Sequence, residues 1–288
     1  MVNRSTTVLA IIMLTLLVAV TCAAQTDSAK GPVYGWKHAG VGTLTATQVA
    51  FTDWSQGGEN ALAWGLGLEG KSTLEQPHTN WANSYKFGFG QARLGDQGIR
   101  KTDDRIDLES MLTYKMSETL NPYAAATMKT QFAPGYKYSG TGVETQVSQF
   151  FDPAFLTQSA GVVYQPGAAF KTRFGLALRE VLSSKFGYAD DPETLTEIEH
   201  SSVNGGLESV SELTLTLDDQ VSFSSKLEMF SAFKKIDQVI VRSDNTLAAK
   251  VSKYITVMLN VQLLNERAVS PRTQIKETLA MGLSYSIF

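Results

Sequence analysis

The chain has 288 residues, 43% of them hydrophobic, with one cysteine and a formal net charge of −3. Because its charge is nearly balanced, no clustered basic surface is expected, and nucleic acid is not an expected partner. The mean hydropathy of −0.08 resembles that of soluble proteins. Membrane β-barrels give similar averages, however, because half of their strand residues face a polar interior.

The first residues read as a targeting segment. Arg4 is followed by Val8–Val20, a nearly unbroken apolar run, and small residues then offer a cleavage site. We therefore predict a signal peptide over residues 1–24 and an exported mature chain that begins at Gln25. The apolar run is shorter than the ~20 residues that a membrane-spanning helix needs. Lipidation of Cys22 is the alternative, and the residues that precede it fit poorly.

Cleavage at this point removes the single cysteine. The mature chain then has no disulfide, no thiol nucleophile and no cysteine-based metal site. No other segment of the sequence is predicted to span a bilayer as a helix. An exported chain with these properties is periplasmic, secreted or an outer-membrane barrel.

After a short polar lead-in, the mature chain shows strand-type alternation in twelve segments. In the second segment Leu62, Leu66 and Leu68 share one parity, and small residues occupy the other. In the third segment the alternation slips near Gln91, which predicts a β-bulge. In chain order the predicted strands are Trp36–Phe51, Asn60–Gly70, Trp81–Leu94, Asp103–Ser117, Pro122–Phe132, Phe155–Gln165, Ala168–Val181, Val203–Leu217, Val221–Phe233, Gln238–Val251, Tyr254–Leu264 and Ile275–Phe288.

The hairpin Lys101–Tyr136 indicates which kind of β-protein this is. Its first arm alternates apolar with charged residues, with Ser110 and Met111 as the exceptions on the two faces. A secreted β-sandwich also uses such strands, but these arms exceed the usual ~5–6 residues and reach the ~9–11 of a membrane-crossing strand. The sequence therefore predicts an all-β fold, an antiparallel up-and-down transmembrane β-barrel of about 12 strands over residues 25–288.

The lengths of the predicted connections support a barrel. The two longest, Tyr136–Pro153 and Leu182–Ser202, both follow odd-numbered strands and so lie at the same end. Most connections after even-numbered strands are short, as expected of periplasmic turns. Lys71–Asn80, after the second strand, is the exception because it is long for such a turn.

The segment Thr52–Asn60 resembles an uncharacterised family of outer-membrane barrels from Bacteroidetes-type bacteria, known as a domain of unknown function. Other stretches that agree are Lys101–Asp104, Thr130–Tyr136, Lys226–Ser231 and Lys250–Ile255. The resemblance extends over nearly all of the mature chain. It implies a barrel and an outer-membrane address. It implies no activity, so no catalytic residue follows from it.

The C-terminus resembles the assembly signal of outer-membrane barrels, which ends in an aromatic residue after alternating apolar ones. Phe288 departs from that pattern because its parity is opposite to that of Leu283 and Tyr285. We expect a location in the bacterial outer membrane. The expected partners are membrane lipids, lipopolysaccharide and the barrel-assembly machinery. No cofactor is predicted, and the oligomeric state stays open.

Charged residues on the inward parity are the candidate lumen-lining residues. They carry both signs on neighbouring strands, which suits either a polar pore that orients charged solutes or a set of ion pairs that fills the interior. About 8 strands give a packed interior and roughly 16–18 a channel, so twelve strands leave both readings open. The candidates are Arg105, Asp107, Glu109, Lys115, Lys129, Lys171, Arg173, Arg179, Glu212, Lys226 and Glu228.

Two other groups of residues are weaker candidates. The acidic stretch from Asp190 to Glu199 does not have the spacing of an ordered calcium loop and is predicted to be a solvated surface loop. His200 and Ser201 could supply a base and a nucleophile, but no third partner is evident. The predicted function is a passive channel or small-solute transporter and not an enzyme. The alternatives are a plugged structural or assembly barrel and, less favoured, a lipid-modifying enzyme.

Overall fold

The computed structural model describes residues 34–50, 59–138, 144–190, 199–267 and 269–287. The predicted signal peptide, most of the segment Thr52–Asn60 and most of the acidic stretch lie outside these residues. Among the described residues, no helix is long and apolar enough to cross a membrane. The strands are β1 (Gly35–Val49), β2 (Ala61–Glu75), β3 (Thr79–Leu94), β4 (Ile99–Tyr114), β5 (Leu120–Thr130), β6 (Gly135–Tyr138), β7 (Glu144–Ser148), β8 (Ala154–Tyr164), β9 (Phe170–Leu182), β10 (Ser201–Thr216), β11 (Val221–Ala232), β12 (Val239–Lys250), β13 (Ile255–Asn265) and β14 (Gln274–Ser286).

Twelve of these strands form one closed antiparallel barrel, as the sequence predicted. Each strand pairs with the next barrel strand along the chain, and β14 closes the ring against β1. The short strands β6 and β7 pair with each other as a separate two-stranded sheet within the connection from β5 to β8. Closing the sheet removes its free edges, whose exposed backbone groups would otherwise pair with other chains.

Contacts across the ring show which side chains face inward. Glu109 on β4 contacts Lys226 on β11, and Arg105 on β4 contacts Asp244 on β12. These strands are five and six places apart around the ring, so all four side chains extend into the interior. Because paired residues share a face and the faces alternate along a strand, the inward set on every strand follows from the register.

The two ends of the barrel differ in their connections. At the short-turn end they span three to five residues (76–78, 115–119, 165–169, 217–220 and 251–254). At the long-loop end they include 131–153 and 183–200, the two predicted long connections. The predicted long connection Lys71–Asn80 is wrong. β2 runs on to Glu75 and β3 begins at Thr79, because the polar residues there continue the alternation and pair in register.

A bulge lies next to the position predicted near Gln91, but the extra residue is on the neighbouring strand. The register between β3 and β4 shifts between Gly90 and Gln91, where Gly90 pairs with Asp103 and Gln91 with Lys101. The extra residue is therefore Thr102 on β4.

The two exceptions in the β4 pattern are also accounted for. Ser110 faces outward and accepts a hydrogen bond from Trp81 Nε1 at 2.9 Å, and Met111 faces inward.

The outward face carries a band of large apolar side chains. They are exposed on every side of the barrel, and examples are Leu66, Phe87, Leu112, Val162, Phe174, Leu247, Leu259 and Leu279. Trp36 and Trp81 lie near the short-turn end, with ring centroids 5.9 Å apart. A soluble barrel would not expose a continuous apolar girdle of this kind.

The seam between β1 and β14 is the least paired part of the wall. Only Val41–Thr45 and Gly282–Ser286 pair across it, whereas β1 and β2 pair over their whole length. Within the described residues, Ala46–Val49 on β1 has no partner on β14. The seam is therefore open toward the long-loop end.

We expect hydrogen exchange to report this opening. Ile287 N–H donates to β1, whereas Ser284 N–H donates to Tyr254 beside β13, so odd-numbered amides of β14 point to the seam. Amides 275, 277, 279 and 281 should exchange at least about tenfold faster than 276, 278 and 280, because water from the interior reaches them. Residue-resolved exchange in detergent micelles measures this, and equal protection of the two sets would contradict an open seam.

Candidate functional site

Seven of the eleven predicted residues meet in one ion-pair network. Lys226 Nζ lies 2.6 Å from Glu109, 3.4 Å from Glu228 and 3.8 Å from Glu212. Arg173 Nη1 lies 2.6 Å from Glu109. Two further lysines bind the outer members of the network: Lys171 pairs with Glu212 at 2.9 Å, and Lys129 pairs with Glu228. The network joins side chains from β4, β5, β9, β10 and β11.

Arg105 and Asp107 belong to a second group, the strap, which also includes Asp244 and Lys86. The guanidinium of Arg105 lies 2.6 Å from Asp107 and 3.1 Å from Asp244. Lys86 lies 3.7 Å from Asp244 and 3.6 Å from Glu69. Because β4 and β12 are on opposite walls of the ring, the strap crosses the whole interior and divides it into two sectors.

The sector bounded by β4, β5, β8, β9, β10 and β11 is closed by packing. The Arg173 side chain is only 1% exposed. Met111, Tyr123, Ala125 and Val163 form a buried apolar cluster beside it. The Arg173 guanidinium also lies 5.6 Å from the Tyr123 ring centroid. Charged and apolar side chains together fill this packed sector, so it leaves no continuous path for a solute.

At the long-loop end the packed sector is closed by Glu266, the first residue after β13. Its carboxylate accepts hydrogen bonds from Arg179 at 2.7 Å and from Arg242 at 2.8 Å. Both guanidiniums also lie over the Phe155 ring. Burial alone would raise the pKa of Glu266, but the two arginines outweigh it and hold the pKa below its usual value. Arg179, one of the predicted lumen-lining residues, therefore binds Glu266 at the long-loop end of the barrel.

This geometry predicts an acid-sensitive closure. Because the folded-state pKa of Glu266 is depressed, its stabilising contribution is present above the unfolded value of 4.5. That contribution is lost as the pH falls through the folded value. Glu266→Gln should remove this pH dependence and lower stability at neutral pH. Denaturant unfolding measured from about pH 3 to about pH 7 compares the two proteins. An unchanged pH dependence in the variant would exclude Glu266 as its source.

The sector bounded by β1, β2, β3, β13 and β14 is open. Thr47, Lys71 and Thr278 face inward by register and are exposed, and the Glu69 side chain is 62% exposed. A cavity of about 500 Å³ lies beside the strap toward the long-loop end. Lys86, Arg105, Asp244 and Lys276 are among its lining residues. The cavity is lined from β3, β4, β5, β11, β12, β13 and β14, so it extends to both sides of the strap. Within the open sector, the small inward residues on β1 and β2 leave further space, because threonine and glycine cannot reach the opposite wall.

Lys115 lies apart from both groups, just beyond β4 at the short-turn end. Its ammonium pairs with Glu75 and donates to the carbonyl oxygen of Gln76 at 2.7 Å. His200 and Ser201 lie at the other end of the barrel and are exposed. The described residues show no hydrogen bond between them, and they hold no cluster of three or more His, Cys, Asp or Glu that could bind a metal ion.

Sequence reasoning missed five residues on which the site depends. Lys86 lies on the inward parity of β3, Arg242 and Asp244 lie on that of β12, and Glu208 lies on that of β10. The alternation that identified the other candidates could have identified these four. Glu266 has no such signal, because it lies in a connection where no alternation applies. Only the fold of the chain places it between two arginines.

One protein family matches part of this chain. Residues 46–136 match DUF3078, described as a protein of unknown function. This match covers less than half of the chain and fits the predicted resemblance to an uncharacterised family. The Bacteroidetes-type origin stays a prediction. No protein among the curated proteins matches this chain significantly.

Solved structures of other barrels are similar in outline. The translocator domain of the autotransporter NalP from Neisseria meningitidis is 12% identical, with 98% of this chain and 97% of that chain covered and a TM-score of 0.38. An outer membrane channel from Pseudomonas putida F1 is 12% identical, with coverage of 91% and 98% and a TM-score of 0.39. The toluene transporter TodX from Pseudomonas putida is 11% identical, with coverage of 89% and 90% and a TM-score of 0.31. TM-scores this low support no conclusion about this chain.

Proposed function

We propose that this protein is an outer-membrane β-barrel whose open sector is a narrow water-filled channel for small polar solutes. The observation that carries the proposal is the contrast between the two sectors. The inward residues from Arg173 to Val181 on β9 and from Gly206 to Val210 on β10 are buried, whereas the inward residues of β1, of β2 and of Gln274–Ser284 on β14 are exposed or half-buried. A fully plugged barrel would bury both sets. The strap forms the narrowest part of the proposed channel.

The proposed location rests on the outward face. Each barrel strand has at least 11 residues, which matches the ~9–11 needed to cross a bilayer, and the outward side chains form an apolar girdle. The short-turn end would face the periplasm and the long-loop end the exterior. The signal peptide over residues 1–24, its cleavage, and contact with lipopolysaccharide and the assembly machinery are part of the same proposal.

The lining of the open sector favours small polar solutes. Lys86, Arg105 and Asp244 place both signs of charge at the strap, so hydrated solutes meet polar groups throughout. The space beside the strap, about 500 Å³, is the size of a small-molecule site. Large polymers would not fit without movement of the strap.

Planar-bilayer recording tests the proposal. The refolded mature barrel is first checked for heat-modifiable gel mobility, which reports a folded barrel. Addition to the bilayer should give discrete conductance steps in KCl, because water and ions fill the open sector. A folded, inserted barrel with no conductance would overturn the channel and leave the plugged structural barrel.

A further inference from the structure

Three phenylalanines form an exposed cluster in the connection between β5 and β8. Phe132 is 64% exposed and Phe150 is 60% exposed, with ring centroids 6.1 Å apart. Phe151 is next, 6.2 Å from Phe150. An aromatic patch of this kind is unfavourable in water and usually marks an interaction surface. We call these three residues the phenylalanine cluster.

Asp104 on β4 fixes the first member of the cluster. Its carboxylate accepts hydrogen bonds from Phe132 N at 2.7 Å, Ala133 N at 2.8 Å and Lys101 Nζ at 2.7 Å. Asp104 shares the outward parity of Ile106, yet its side chain is only 2% exposed. Residues 132–133 therefore cover the Asp104 carboxylate at the long-loop edge of the apolar girdle, and the Phe132 side chain is exposed there instead.

Asp152 holds the other side of the cluster. Its carboxylate accepts hydrogen bonds from Ser183 Oγ at 2.8 Å, Ser184 Oγ at 2.8 Å and Lys185 N at 3.0 Å. The adjacent Phe151 has a φ of 56°, and among the described residues it is the single non-glycine residue with a positive φ. A bulky residue persists in this conformation only where its surroundings hold it. The cluster is thus a fixed surface.

The two strands that the cluster connects, β5 and β8, are short. β5 and β8 have 11 residues each, whereas β4 has 16. The last pair between β4 and β5 is Ile106 with Thr130, so Ile99–Arg105 extends beyond β5. Seven residues of strand correspond to about 23 Å along the strand. At β5 and β8 the apolar girdle would therefore end closer to the short-turn end than it does at β4, unless another apolar surface continued it.

We propose that the phenylalanine cluster inserts among the acyl chains of the outer leaflet and continues the girdle beyond the long-loop ends of β5 and β8. This inference rests on the proposed membrane location. Its occupant is lipid because the backbone of Phe132 is held by Asp104 on the outward parity of β4, at the long-loop edge of the girdle, and because all three side chains are apolar. Aromatic residues are enriched at this level of membrane barrels. The connection 131–153 is then held against the bilayer surface.

Spin labelling tests the inference. Phe150→Cys and, as a second variant, Phe132→Cys are labelled in the mature chain, which has no native cysteine once residues 1–24 are removed. The labelled barrels are reconstituted in phosphatidylcholine vesicles, and collision rates with oxygen and with a water-soluble nickel chelate are compared. Leu176→Cys on the girdle and Lys234→Cys in a connection at the same end are the controls.

We expect the oxygen-to-nickel ratio at both cluster positions to resemble that of Leu176→Cys and to exceed that of Lys234→Cys by about tenfold, because the polar chelate is excluded from hydrocarbon. If the cluster positions resemble Lys234→Cys while Leu176→Cys remains oxygen-rich, the inference is overturned and the membrane location stands. If Leu176→Cys is nickel-rich as well, the membrane location fails and the inference fails with it.

Discussion

Replacing Arg173 by alanine is expected to lower the free energy of unfolding by about 3–5 kcal/mol, the usual cost of breaking a buried ion pair from one side. The guanidinium lies 2.6 Å from Glu109 and 3.6 Å from Glu208. Without it, two carboxylates remain in the packed sector with less compensating charge. The change also removes the group that lies against Met111 and Tyr123, so apolar packing is lost together with charge.

Arg93→Ala is the matched control for this prediction. Arg93 lies 4.0 Å from Asp96, and its side chain is 57% exposed. Exposed pairs contribute little because water and salt screen them, so this change should leave the midpoint of denaturant unfolding unchanged. Equal effects of the two substitutions would show that the interior network contributes no more to stability than a surface pair does.

Replacing Asp244 by alanine should raise the single-channel conductance by about twofold, because conductance follows the width and charge of the narrowest part of a pore. Asp244 holds Arg105 from the opposite wall at 3.1 Å and Lys86 at 3.7 Å. Without it, among the described residues, Arg105 keeps only Asp107 and Lys86 keeps only Glu69, so neither cation is held to β12 and the strap no longer crosses the interior. One negative charge is also lost, so permeability should shift toward anions.

Asp244→Asn separates the two effects. The amide keeps the size of the side chain. Arg105 and Asn260 donate to different oxygens of the Asp244 carboxylate, so the single amide oxygen can keep the hydrogen bond from Arg105 while the one from Asn260 is lost. It should therefore shift the reversal potential in a KCl gradient with a smaller gain in conductance. If neither variant changes conductance in an otherwise conducting barrel, the strap is not the narrowest part of the channel.

The fold could be predicted largely because side-chain alternation is a local property. Leu213, Leu215 and Leu217 on one parity identify a strand without any knowledge of its neighbours. The slip at Gln91 pointed to the right level of the wall, but the extra residue is on β4, which the alternation of β3 does not report. The boundary at Lys71–Asn80 was wrong because the apolar residues stop before the strand does. Lys71 and Thr73 face the interior of the barrel, where polar residues are compatible with a strand.

The site depends on contacts between distant parts of the chain, which alternation does not contain. Parity placed Glu109 and Lys226 on charged faces but gave no indication that they meet across the ring. The division into a packed and an open sector depends on how far the inward residues reach. Arg173 and Met111 fill one half, and Thr47 and Gly67 leave the other half open. Glu266 could be placed only by the fold itself.

The central claim is that water fills the open sector and not the packed one, and cysteine accessibility measures this most directly. Glu69→Cys and Ala177→Cys both place a thiol on the inward face, the first in the open sector and the second in the packed sector. A membrane-impermeant methanethiosulfonate reagent should modify Glu69→Cys in the inserted barrel and reduce its conductance, with no effect on Ala177→Cys. Protection of both positions, or equal modification of both, would contradict the account.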